Sequence, residues 1–341
     1  MSIRFFRRIK IAPGLSVNLS KRGASISVGP RGAKITAGTK GVRGTTGVTG
    51  TGLFYTSKIQ TSSTSKKLTQ NENSQSNEGK GVLDVGFFEK LLAPAHKKAF
   101  INGCKAMIKG DDQNALKEFV KDQHADCLFM SGLILLKQEN KKDAIKYLEL
   151  TKNNDQRLGE LFDEYNISPT FNLKITEHIS TLLTTDKRSL YLLLVELYQE
   201  LNNIEEALKL LNTLIINYPN DLITKLSFSE VLLDLDDANS NKKVVDLIGD
   251  IDNESELHTC LFYYKSNALN RLGLNTAASD LLTQVLRKKK DRSKDLLKAM
   301  RYLRAIVYEE LGKKSQSRKD LEILYSNDPT YEDVSERLKL Y

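Results

Sequence analysis

The alternation of apolar and polar residues separates a short β-like beginning of the chain from a long helical remainder. Over residues 15–19 and 25–28, apolar and polar residues alternate with the period of a half-buried strand. Between these runs lie Lys21, Arg22 and Gly23, a triplet ending in glycine that favours a hairpin turn. A further strand is predicted over residues 33–37. The first 57 residues are therefore expected to form a small antiparallel β-meander.

Helical periodicity begins after residue 81 and carries an internal repeat between about residues 96 and 330. In each copy a first position is followed by a small residue twelve positions later and by a bulky residue four positions after that. The five sets are Gly103, Ala115 and Phe119; Gly132, Ala144 and Leu148; Val195, Ala207 and Leu211; Ser266, Ala278 and Leu282; Ala305, Ser317 and Leu321. Two antiparallel helices must cross closely where the first two positions meet, so Ala207 and Ala278 are predicted to lie at close crossings.

This spacing resembles the tetratricopeptide repeat, which has small residues at positions 8 and 20, a bulky residue at position 24 and proline near position 32. Pro219 and Pro329 fit the last position, where proline stops the second helix. Residues 156–185 and 222–252 are interpreted as degenerate helix pairs of the same kind. The resemblance implies a mainly α fold, a tetratricopeptide-like α-solenoid of helix pairs preceded by the small β-meander.

The beginning of the chain resembles a second family. The segment RFFRRIKIAPGLSVNLSKRGASISVGPRGAKITAG, followed by GTGLFYT, is similar to a short bacterial N-terminal domain of unknown function (family 4236) over residues 2–56. Members of that family are fused to assorted C-terminal parts. No activity, cofactor or ligand follows from this resemblance.

The charge of the chain is unevenly distributed. Thirteen Lys and Arg and no acid lie between residues 1 and 71, so 38 basic residues face 43 acidic ones in the remainder. We expect a basic β domain over residues 1–57, a polar flexible linker over 58–81 and a helical repeat domain over 82–341. An acid-free basic segment favours contact with a polyanion, although edge charges that keep a small sheet soluble would look the same. The candidate polyanion contacts are Lys21, Arg22, Arg31, Lys34, Lys40 and Arg43.

The sequence offers no pattern for catalysis or for a cofactor. The glycines of residues 41–52 lack the spacing of a phosphate-binding loop and suit β-turns instead. His124 and Cys127 have no second ligand pair at metal-binding spacing. The three cysteines fit buried thiols in a reducing compartment, and no apolar run approaches the ~18 to 20 residues that span a membrane. We therefore expect a cytoplasmic protein that is not an enzyme and binds no cofactor or metal.

The resemblance to tetratricopeptide repeats also indicates which residues face a ligand. In such repeats positions 5, 9 and 13 of the first helix line the concave surface, and here one such set is Tyr263, Asn267 and Arg271. These three are candidate peptide contacts, although a solvated polar face would show the same pattern.

The first helices of the first two repeats are apolar on nearly every side, so we expect something to cover them. Their apolar residues include Phe100, Cys104, Met107, Ile108, Phe129, Leu133 and Leu136. The candidate covers are residues 82–94 of the same chain, another chain or a client peptide, and an intramolecular cover is favoured.

These observations predict an interaction scaffold that binds a protein or peptide partner through its helical repeats. The alternative is a protein that binds nucleic acid or another anionic surface through its basic N-terminal domain.

Overall fold

The computed structural model describes residues 94–339, except residues 166, 168, 177 and 178, and the backbone of six strands between residues 19 and 59. The strands are β1 (Leu19–Ser20), β2 (Gly23–Ala24), β3 (Ile26–Val28), β4 (Ala33–Gly38), β5 (Gly41–Gly47) and β6 (Phe54–Ile59). β1 pairs with β2, and β3 to β6 form an antiparallel sheet in chain order. The separate β domain over residues 1–57 and the linker over 58–81 stay predictions.

The described helical residues fall into two compact units. The first unit contains residues 94–174 and 181–197, and the second contains 175–180 and 198–339. The fold within each unit is a succession of antiparallel helix pairs, as the repeat predicts.

Two helix pairs open the first unit. They are α1 (Ala95–Ile108) with α2 (Asp112–Phe119), and α3 (Ala125–Lys137) with α4 (Lys141–Lys152). The carboxylate of Asp111 accepts a hydrogen bond from the backbone N–H of Asn114, and the side chain of Asn140 accepts one from Asp143. Both second helices therefore begin at a capping residue that satisfies a free backbone donor.

The close helix crossings lie where the repeat spacing predicts them. A Cβ atom added to Gly103 would lie 2.5 Å from Cε1 of Phe119, and one added to Gly132 would lie 2.7 Å from Cγ of Leu148. No side chain larger than hydrogen fits at these two positions without displacing the bulky residue opposite. The register of the first two repeats is thereby confirmed.

The interpretation of residues 156–185 as a helix pair is wrong. This stretch forms a 3₁₀ turn (Asp155–Arg157), a five-residue helix α5 (Glu160–Glu164) and a two-stranded sheet of β7 (Phe171–Lys174) and β8 (Ser180–Leu183). Gly159 adopts φ 106°, which ends any helix before it, and β8 alternates exposed and buried residues as a strand does. We call residues 153–186 the insert, because they interrupt the series of helix pairs.

The remaining helices are α6 (Lys187–Glu200), α7 (Ile204–Asn217), α8 (Leu222–Leu235), α9 (Ala238–Ile248), α10 (Glu256–Arg271), α11 (Asn275–Val285), α12 (Lys294–Glu310), α13 (Lys314–Asn327) and α14 (Val334–Leu338). Helix α6 ends the first unit and its last turn belongs to the second. Residues 222–252 do form a helix pair, α8 with α9, which confirms that interpretation. Ala207 and Ala278 are fully buried, as residues at close crossings must be.

Candidate functional site

The first helices of three successive pairs in the second unit lie side by side. Helix α8 packs on α10, and α10 packs on α12. Positions 5, 9 and 13 of each helix fall on one face, since they are four residues apart. We call these nine residues the stripe: Leu226, Glu230 and Asp234 on α8; Tyr263, Asn267 and Arg271 on α10; Tyr302, Ile306 and Glu310 on α12.

The three residues of the stripe on α10 are the predicted peptide contacts. Tyr263 and Asn267 are buried, with 5% and 9% of their surface exposed, and burial raises the pKa of the Tyr263 hydroxyl. Arg271 keeps 22% of its side chain exposed and donates to the backbone carbonyl of Leu233 and, at 2.9 Å, to the carboxylate of Asp236. Arg271 thus binds α10 to the end of α8. Contact of these three residues with a peptide stays a prediction.

The end of the chain packs over the stripe at α12. The Tyr302 hydroxyl donates to the carboxylate of Asp333 at 2.5 Å, and the ring of Tyr331 meets the Tyr302 ring edge-on at 5.8 Å. Burial, reinforced by the hydrogen bond to Asp333, raises the pKa of Tyr302 to about 12. Arg337 of α14 is bonded to the carboxylates of Asp333 and Glu309. This network fixes the C-terminal helix on the last helix pair.

The exposed part of the stripe is acidic. Glu230 is half-buried, whereas Asp234 and Glu310 are exposed. Burial raises the pKa of the Cys260 thiol on α10, and the negative charge of Glu230 raises it further. Glu230 is therefore close enough to α10 to act on its side chains electrostatically. Glu310 accepts a hydrogen bond from the neutral amide of Asn270. The nine residues of the stripe include three carboxylates, Glu230, Asp234 and Glu310, and one arginine, Arg271.

The corresponding positions of the first unit are covered by the chain itself. The ring of Phe100 on α1 lies 5.1 Å from that of Phe162 and 5.9 Å from that of Tyr165. The ring of Phe129 on α3 lies 5.9 Å from that of Phe171. The described cover therefore comes from the insert of the same chain. Residues 82–93, the predicted cover, lie outside the described residues.

A buried carboxylate anchors the insert. Asp126, which is fully buried on α3, accepts hydrogen bonds from the backbone N–H groups of Gly159 at 2.6 Å, Leu161 at 2.7 Å and Phe162 at 3.3 Å. Burial raises the pKa of Asp126, and the three backbone N–H donors oppose that shift because they favour the ionised carboxylate. Sequence reasoning missed this contact, since its partners lie more than thirty residues away and no motif joins them.

The neighbouring histidines and cysteines form a packed cluster. Nε2 of His124 lies 3.2 Å from a carboxylate oxygen of Glu160, and its ring stacks on that of His96 at 5.5 Å. Burial raises the pKa of the Cys104 and Cys127 thiols, which keeps both protonated near neutral pH. Among the described residues, no group of three or more His, Cys, Asp or Glu is placed to share a metal ion.

Two of the candidate polyanion contacts lie on adjacent strands. Lys34 on β4 is opposite Thr45, and Arg43 on β5 is opposite Thr36. The other four candidates, Lys21, Arg22, Arg31 and Lys40, lie outside the described residues. Polyanion contact by these six residues stays a prediction.

Comparison with known families agrees with both resemblances. Residues 3–56 match the sequence model of a family described as "Protein of unknown function (DUF4236)", and residues 189–221 match that of a tetratricopeptide repeat. No curated protein matches the chain. Within the part of the chain that the structure describes, no helix combines the length and the apolar character needed to cross a membrane.

Several solved structures are similar to the chain at low identity. One chain in the crystal structure of the APC/C hetero-tetramer Cut9–Hcn1 is 17% identical to this chain. The match covers 74% of this chain and 44% of the other, with a TM-score of 0.39. A tetratricopeptide repeat protein of Thermus thermophilus is 15% identical over 63% and 97%, with a TM-score of 0.37. NprR in complex with its cognate peptide NprX is 12% identical over 71% and 70%, with a TM-score of 0.33. The chain spans less than half of the Cut9–Hcn1 chain that it matches. It is similar to a family of unknown function at its beginning and to tetratricopeptide repeats in its helical part.

Proposed function

We propose that this chain is a non-enzymatic interaction scaffold that binds a protein or peptide partner on the stripe of α8, α10 and α12. Helical repeats of the tetratricopeptide type are typically protein-interaction scaffolds. The observation that carries the proposal is the contrast between the two units. Phe100 and Phe129 in the first unit are packed under the insert, whereas the second unit presents carboxylates such as Asp234 and Glu310 to solvent.

The chemistry of the stripe favours a basic partner. Carboxylates on neighbouring helices can accept bidentate hydrogen bonds from arginine or single ones from lysine. Both arginines at the stripe, Arg271 and Arg337, are already bonded to carboxylates of the same unit. An acidic partner would therefore meet net negative charge, and a basic one would be attracted.

The test is capture of partners by the full-length chain and by two variants with equal changes in charge. In the first, Asp234→Lys is combined with Glu310→Lys on the stripe. In the second, Asp280→Lys is combined with Glu322→Lys at exposed positions of α11 and α13. Quantitative mass spectrometry should show that proteins captured by the native chain are lost with the stripe variant and kept with the control variant. Equal capture by both variants would refute binding on the stripe.

A second candidate function is supported by the acid-free beginning of the chain, with thirteen Lys and Arg between residues 1 and 71. In this proposal those residues bind nucleic acid or another anionic surface, and affinity falls with salt by a slope of roughly −0.7 to −0.9 per phosphate contacted. Replacing Lys21, Arg22, Arg31 and Lys34 by Gln should flatten that slope. Absence of binding to DNA, RNA and anionic vesicles at low salt would exclude this function.

A further inference from the structure

The stripe and the first residues of the chain have complementary chemistry. The segment MSIRFFRR, residues 1–8, contains Arg4, Arg7 and Arg8, two phenylalanines and no acid. These residues lie outside those that the structure describes. The stripe offers Glu230, Asp234 and Glu310 for the arginines, and apolar surface on the half-buried Ile306 for a phenylalanine.

We propose that residues 1–8 bind on the stripe of α8, α10 and α12 in the same molecule. The inference rests on the proposed function, because it assigns that surface an internal ligand with which external partners compete. Guanidinium groups bind carboxylates bidentately, and the stripe carries three carboxylates, those of Glu230, Asp234 and Glu310. No acid lies within residues 1–71 to neutralise these three arginines locally.

The covalent connection favours binding within one molecule. More than eighty residues separate the segment from Pro94, where the described helical part begins, so the chain is long enough to reach any face of the second unit. A tethered segment is held near its site at an effective concentration set by the length of the tether, which favours the contact within one molecule. A free partner must therefore displace the segment, and the scaffold binds external ligands more weakly than the bare stripe would.

Disulfide trapping in the full-length protein tests this proposal. Ser2→Cys is combined either with Asp234→Cys on the stripe or with Asp280→Cys on the exposed surface of α11. Both second substitutions remove one negative charge, and Asp234→Cys leaves Glu230 and Glu310 on the stripe to bind the arginines. The native Cys104, Cys127 and Cys260 are all buried and will not compete under mild oxidation.

We expect the intramolecular disulfide to form at least about tenfold faster with Cys at position 234 than at 280, because local concentration sets the rate. Replacing Arg4, Arg7 and Arg8 by Gln should abolish that preference, and replacing Lys21, Arg22 and Arg31 by Gln should preserve it. In about 1 M salt, where the screening length is about 3 Å, the preference should shrink.

Equal rates at positions 234 and 280 would overturn the proposal. So would a preference for position 234 that grows with protein concentration and yields disulfide-linked dimers, because the segment would then bind a second copy. If trapping fails while the Asp234→Lys, Glu310→Lys variant still loses its partners, the scaffold function stands and only the internal ligand is refuted.

Discussion

At Gly132 the structure has no room for a methyl group. The nearest atoms to an added Cβ would be Cγ and Cδ2 of Leu148, at 2.7 and 2.8 Å. The sequence predicted this contact, because a small residue is followed by a bulky one sixteen positions later in four of the five copies of the repeat. Single residues of this kind can be predicted when a spacing fixes which helix faces another.

The effect of Gly132→Ala on stability should therefore have opposite signs in the native chain and in a Leu148→Ala variant. In the native chain, overpacking costs roughly 1–3 kcal/mol, and the better helix propensity of alanine offsets about 1 kcal/mol of that. In a Leu148→Ala chain the overpacking disappears, so the same substitution should stabilise the fold by about 1 kcal/mol. Urea unfolding of the two single variants and the double variant, followed by circular dichroism, measures these free energies. Additive effects of the two substitutions would show that the two residues are not in contact.

Tyr302 and Asp333 give a prediction that depends on pH. Burial opposes a lower pKa for Asp333, but hydrogen bonds from Tyr302 and Arg337 outweigh it, and the pKa is lowered. The ionised carboxylate therefore stabilises the fold above the pKa of an unfolded aspartate, about 4, and this stabilisation is lost as pH falls through the lowered value.

Tyr302→Phe should cost about 1.5–3 kcal/mol at pH 7, as expected for a hydrogen bond to a charged group. The cost should fall towards about 0.5–1.5 kcal/mol in acid, where Asp333 becomes neutral. Tyr325→Phe, at an exposed tyrosine of α13, is the control. Denaturant unfolding at several pH values measures the loss in free energy of unfolding caused by Tyr302→Phe. A loss that does not change with pH would contradict the role of Asp333.

Among the elements, helix pairs could be predicted and the insert could not. The pair α8 and α9 follows from helical periodicity alone, even though its residues depart from the repeat pattern. The insert consists of elements of three to five residues, which are too short to show a period. Its position is set by contacts such as those of Asp126 with residues 159–162, which no local pattern encodes.

Asp126→Asn should detach the insert from α3. The amide keeps one oxygen but brings an NH₂ group towards backbone donors, so we expect a loss of roughly 2–4 kcal/mol. Asp163→Asn, at an exposed position of α5, should change stability by less than about 0.5 kcal/mol. Hydrogen exchange should accelerate over residues 153–176 in the first variant alone. If exchange over residues 153–176 of Asp126→Asn is as slow as in the native chain, the aromatic contacts alone hold the insert on the helices.

At the scale of the whole molecule, the sequence predicted a basic beginning and a mildly acidic remainder. It did not predict where the acidic residues gather on the surface. The basic beginning is visible as a count of residues. The acidic stripe is not, because Glu230 and Glu310 are eighty positions apart and come onto one surface only when α8, α10 and α12 align. The predicted residues Tyr263 and Asn267 lie on that stripe, but their burial depends on packing that periodicity cannot supply.

Limited proteolysis should cut the chain first between residues 57 and 80, which are polar and nearly free of large apolar groups. The product should be a protease-resistant helical fragment that keeps the circular dichroism of the intact chain. Cleavage within residues 190–330 before any cleavage at 57–80 would contradict the predicted domain boundaries.

The side-by-side packing of α8, α10 and α12 also sets how many residues of a bound peptide can contact the stripe. Packed helices lie about 8–10 Å apart, so the outer two of these three are separated by about 20 Å. An extended peptide advances about 3.3 Å per residue, and about six residues therefore reach across all three helices. Peptides trimmed below that length should lose affinity with each residue removed, and extension beyond about eight residues should add little.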